Sequence, residues 1–100
     1  MNVMKMMKQA QELQEKAQKI QVELASRRYE AVTGGVTVVS TGDGMIVSLK
    51  IEPSIVKEGA AEMLEDLIVT AVREATEKGK KDAAQEMNKL TSSMGLPGMA

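Results

Sequence analysis

The side chains available for chemistry in this 100-residue chain are carboxylates, lysines, arginines and hydroxyls, because it contains neither histidine nor cysteine. Those absences remove the usual general base, the usual activator of a hydroxyl nucleophile and the commonest metal ligands. Ser54, Ser92 and Ser93 therefore have no imidazole to activate them. Gly34-Gly35 lacks the Lys-Ser/Thr pair of a phosphate-binding loop. Glu62, Glu65, Asp66 and Glu74 form an acidic run, but carboxylates at the start of a helix ordinarily complement its dipole. The expectation is a chain that is not an enzyme, with no catalytic residues, no cofactor, no metal and no small-molecule substrate.

The cations are more informative. The net charge of −1 hides a polarised arrangement: residues 1–28 hold six basic and three acidic groups, residues 29–77 three basic and nine acidic, and residues 78–100 four basic and two acidic. Both ends are basic and the middle is acidic, a field that steers an anionic polymer toward the ends. Lys16, Lys19, Lys78 and Lys81 follow Glu12, Glu15, Glu74 and Glu77 by four residues, the spacing of weak helical ion pairs, and are read as paired and solvated. Lys5, Arg28 and Lys80 have no acidic residue at that spacing and are the better phosphate candidates, with Lys8 and Arg27 next. With one aromatic residue, Tyr29, the chain lacks the stacking platform of single-strand binders. It also lacks a recognisable base-reading module. The nucleic acid expected is duplex DNA, held mainly by backbone and shape and with little sequence preference.

These cations must be positioned by two helices and a small sheet. Val3, Met6, Ala10, Leu13, Ala17, Ile20 and Leu24 recur at alternating threes and fours, predicting an amphipathic helix of about 25 residues and roughly 37 Å. Next come three β-branched stretches, 29–33, 36–41 and 45–51, separated by Gly34-Gly35 and Gly42-Asp43-Gly44, which is hairpin chemistry. In the third, Met45, Val47, Leu49 and Ile51 should share one face, with Ile46, Ser48 and Lys50 on the other. Helical periodicity returns near Ala60 and runs to Leu90, with a kink or fraying near Gly79. The fold class is thus α+β, in the order α-β-β-β-α. Residues 1–90 form one domain and residues 91–100 a flexible tail.

Strands of six or seven residues span only about 20–23 Å, so the helices must overhang the sheet and project as arms. An unsupported arm with an apolar seam needs a partner, and a homodimer supplies one. Seven of the nine methionines, Met1, Met4, Met6, Met7, Met87, Met94 and Met99, fall toward the free ends of the arms. Core filling does not place them there, and flexible methionines make adaptable contact surfaces. A second reading follows, a protein-binding adaptor or holdase that grips through Met-rich arm tips. No apolar run reaches the length of a membrane span, and Lys5 and Lys8 interrupt any leader at the N-terminus, so the expected address is the cytoplasm with no membrane partner.

Four blocks carry a resemblance: 6–16 (MMKQAQELQEK), 49–54 (LKIEPS), 63–68 (MLEDLI) and 94–98 (MGLPG). In this collinear order and at this spacing the chain resembles the YbaB/EbfC family of bacterial nucleoid-associated proteins over essentially its whole length. The resemblance implies a homodimer with tweezer-like helical arms. It also implies binding to DNA in the nucleoid, with effects on nucleoid organisation and on transcription regulation. The chain departs from the family pattern at Arg73, where relatives are expected to carry Asn, and in a less basic strand segment. The family's DNA contacts are not fixed by motif, so the DNA-binding candidates stay those of the charge argument: Lys5, Lys8, Arg27, Arg28 and Lys80.

Overall fold

The computed structural model describes residues 2–95. Its order is helix, three strands and helix: α1 Val3–Ser26, β1 Arg28–Thr33, β2 Val36–Thr41, β3 Ile46–Ile51 and α2 Ala61–Ser93, with a short 3-10 turn at Pro53–Ile55. The strands form one antiparallel sheet in sequential order.

Helix α1 starts because the Asn2 side chain accepts the Lys5 amide at 3.2 Å, satisfying one of the unpaired amides of the first turn. It stops at Ser26, where Arg27 turns extended. The β1–β2 hairpin closes through two glycines with φ of +56° and +94°, the backbone that a two-residue turn demands.

Tyr29, Ala31, Thr33, Val36, Val38 and Ser40 face α2 across the sheet. Along α2, Ala71, Ala75 and Gly79 make a ridge of small buried side chains at four-residue spacing, which lets the helix axis settle close to the strands. Ala31, Val36 and Val38 pack there with Ala71 and Ala75, and Ile51, Ile55, Leu67, Ile68 and Val72 close the rim. The buried Ser40 hydroxyl is satisfied by donating to the Ala75 carbonyl at 3.1 Å.

Three sequence expectations are corrected. Helix α2 is continuous through Gly79 rather than kinked or frayed there. A Cβ at that position would lie 3.2 Å from the Thr41 carbonyl oxygen and 3.4 Å from Gly42, so the glycine serves close packing. In β3 the register shifts between Val39 and Ser40, so that Ser40 faces Ile46. Ile46 therefore joins Leu49 and Ile51 on the helix side, and Val47 lies at the irregularity instead of sharing their face. An extra residue in one strand breaks strict alternation in this way. Finally, α2 runs to Ser93, past Leu90, because Leu90 and Thr91 are buried; the remainder of the expected tail, 96–100, lies outside the described residues.

The molecule measures 70 × 22 × 15 Å with a radius of gyration of 19.3 Å, against about 13 Å for a compact chain of this length. The excess is the arm. Beyond the sheet, α1 and the second half of α2 run antiparallel. Their root is tied where Gly42 donates its amide to the Leu24 carbonyl at 2.9 Å. Near the far end, the Gln9 side chain donates to the Met94 carbonyl at 3.4 Å. Leu24 is buried, and Leu13, Ala17 and Ile20 are half-buried. Val3, Met4, Met6 and Met7 are exposed.

Candidate functional site

The five cations singled out in the sequence do not form one site. Lys5 and Lys8 sit one turn apart at the arm tip, sharing a surface with Met4 and Met7. Arg27, Arg28 and Lys80 lie at the arm root, beside the sheet. Nineteen residues of α1 separate Lys8 from Arg27, roughly 28 Å of helix.

At the root, two of the three are already engaged. Arg28 donates to the carbonyls of Ala25 and Ser26 at 3.4 and 3.3 Å, the last carbonyls of α1, where a cation complements the helix dipole. Arg27 is held among carboxylates, 2.9 Å from Asp82, 3.6 Å from Glu86 and 4.0 Å from Glu23. The Tyr29 hydroxyl donates to the same Asp82 oxygen. Two helices and a strand meet in this latch, and Arg27 ties α1 to α2 with its charge directed at acids on the protein itself. Lys80 is exposed.

The latch perturbs its members. Asp82 is lowered from its ordinary value of 3.8, first by the Tyr29 hydrogen bond and then by the one from Arg27. Tyr29 is raised from 10.0, first by desolvation and then by its bond to Asp82, and Arg27 is raised, first by its hydrogen bond to Asp82. The signs define a window. The carboxylate's contribution is present above its ordinary value and is lost as pH falls through the depressed one; that of Tyr29 is present below its ordinary value and is lost as pH rises through the raised one. Asp82→Asn is expected to lower the urea midpoint at pH 7. Its deficit relative to the unsubstituted chain should close as pH drops below 3.8; a deficit constant down to pH 2 rules the ionic latch out.

Several lysines read as paired are placed differently. Among the described residues, no ion pair joins Lys16 to Glu12 or Lys19 to Glu15. Lys78 donates to the Glu30 carbonyl at 2.5 Å, and Glu74 accepts from the Thr33 hydroxyl at 3.1 Å. Lys89, which sequence reasoning did not single out, sits on α2 opposite Lys16 and Lys19, lining one recess with them. The signal that could have found it is the antiparallel pairing of the arms, which sets residues near 89 against residues near 16–20. Among the described residues, no group of three or more acidic side chains is placed to hold a metal ion, and no helix is long and apolar enough to cross a membrane.

The architecture defines a small α-β-β-β-α protein with a two-helix basic arm on an acidic body. The chain belongs to the YbaB/EbfC DNA-binding family, whose model matches residues 1–94. It is 43% identical over 101 residues to a nucleoid-associated protein of Clostridium novyi, covering 99% of this chain and 89% of that one. It is 46% identical over 100 residues to a nucleoid-associated protein of Clostridium botulinum strain Hall, covering 98% and 88%.

Proposed function

We propose that the protein is a nucleoid-associated, non-enzymatic homodimer that holds duplex DNA through the cations of its arms, with little sequence preference, and thereby affects nucleoid organisation and gene expression. The observation that carries this reading is the exposed Lys5 and Lys8 pair at the tip of an arm that extends the molecule to 70 Å. Membership of a DNA-binding family and the names of the relatives support the anion as DNA in the nucleoid. The split of the five candidates makes Lys5 and Lys8 the primary phosphate contacts, Lys80 an exposed cation at the root, and Arg27 and Arg28 structural ties.

The homodimer is supported by what one chain leaves uncovered. Strand β3 is a sheet edge, and Met45, Ile46, Val47 and Leu49 along it are all exposed, as is Met63 in the first turn of α2. A long apolar edge of this kind is ordinarily paired or covered. A second copy seated there would leave both arms free.

Titrating a duplex at 50 and 200 mM salt tests the DNA reading, because each neutralised phosphate contributes about −0.9 to the slope of log affinity against log salt. Affinity should fall steeply, and a flat response removes the arm-phosphate mechanism. The mass in solution should be that of two chains; a stable single chain removes the dimer.

A further inference from the structure

Four lysines of α1 share one side of the arm. Lys16 follows Lys5 by eleven residues, and Lys19 follows Lys8 by the same interval. Eleven residues make about three turns, so each pair is displaced roughly 16 Å along the helix with little rotation. At the second pair α2 adds Lys89, so Lys16, Lys19 and Lys89 surround one open recess between the helices.

Two carboxylates line that recess as well, Glu23 and Glu86. Left free, they would oppose an anion there. Both are engaged: Arg27 reaches Glu23 at 4.0 Å and Glu86 at 3.6 Å, and Lys89 reaches Glu86 at 3.6 Å while its side chain stays 76% exposed. Arg27 thus offsets part of the negative charge at the floor of the recess, while Lys16 and Lys19 are exposed and make no ion pair among the described residues.

We propose that Lys16, Lys19 and Lys89 form a second phosphate seat at the waist of the arm, in helical register with Lys5 and Lys8 at the tip, so that one arm holds the duplex backbone at two points. The proposal rests on the DNA-binding reading and gives it a spacing. Phosphates of one strand rise about 3.4 Å along the duplex axis per nucleotide, so roughly 16 Å spans about five nucleotides. Five nucleotides carry one strand about half a turn round a duplex of about 10–10.5 base pairs per turn, so two seats roughly 16 Å apart on one straight helix meet phosphates of the two strands across a groove. Arg27 acts indirectly, by holding Glu23 and Glu86 away from the bound strand.

The test uses the full chain with a 30-base-pair duplex at several salt concentrations between 50 and 200 mM. Lys16→Gln, Lys19→Gln and Lys89→Gln are combined, with Lys5→Gln/Lys8→Gln as the tip variant and Lys57→Gln, in the loop before α2, as control. Circular dichroism confirms that each is helical. The seat variant should lose at least tenfold in affinity at 50 mM, with a salt slope shallower by up to about 2.7, three times the contribution of one phosphate. The Lys57 control should match the unsubstituted protein. A seat variant that keeps the full slope while the tip variant loses it overturns the waist seat and leaves the DNA-binding reading standing. If both keep the full slope, the seat fails together with the arm-phosphate reading.

Discussion

Replacing Leu24 by alanine is expected to cost about 2–5 kcal/mol, the usual range for truncating a buried leucine in a packed site. The thermal midpoint should then fall by on the order of 10–40 °C, given about 4–8 °C per kcal/mol for a domain of this size. Leu24 is 1% exposed and is the one buried side chain of α1. It lies where the arm meets the body, and its carbonyl accepts both the Gly42 amide at 2.9 Å and the Arg27 amide at 3.1 Å. The fit leaves no slack, since a Cβ on Gly42 would come within 2.7 Å of that same carbonyl oxygen and 2.9 Å of the Leu24 Cβ. Val22→Ala, two residues away on the same helix and 73% exposed, should leave the midpoint almost unchanged apart from a small gain in helix propensity. Equal losses for the two variants in thermal or urea unfolding would show that the root is not where α1 is anchored.

The fold was legible because each element announces itself locally. The three-four recurrence from Val3 to Leu24 gives a helix of 24 residues at Val3–Ser26, and the glycine pair at 34–35 gives the hairpin with positive φ at both positions. What was not legible depends on residues distant in sequence. Gly79 reads as a helix breaker from its neighbours. Its reason lies in Thr41 and Gly42, which approach so closely that even a Cβ would be tightly packed against them. The β3 irregularity is set by how Ser40 and Ile46 pair, which no alternation of apolar residues encodes.

The site divides along the same line. Lys5 and Lys8 are where the charge pattern put them, on an exposed helical face. Arg27 ranked only second among the candidates because Glu23 is its acidic neighbour along α1, but its main partner, Asp82, lies 55 positions away and reaches it only through the antiparallel pairing of the arms. Counting helical neighbours at four-residue spacing thus overstated the freedom of Arg27 and understated that of Lys16 and Lys19. Sequence can rank a cation by its own helix, but not by the helix across from it.

That distinction predicts unequal effects of reversing charge at the two ends of the arm. Lys5→Glu/Lys8→Glu should weaken duplex binding by on the order of a hundredfold at 50 mM salt, and to the same degree on unrelated sequences. The size follows from counterion release: at about −0.9 in the slope per phosphate, one lost contact at 50 mM is worth somewhat more than tenfold relative to 1 M salt, and two compound. Unfolding midpoints should hold, because both side chains are exposed and among the described residues neither forms an ion pair. Arg27→Gln should do the reverse. It removes no phosphate contact but releases Asp82, Glu86 and Glu23 together, so stability falls first and DNA affinity follows only as the freed carboxylates repel the strand. The two variants are separated by measuring melting and salt slope on the same preparations. A shallower slope for Arg27→Gln than for the tip reversal would place the principal phosphate contact at the root of the arm and transfer the gripping role away from its end.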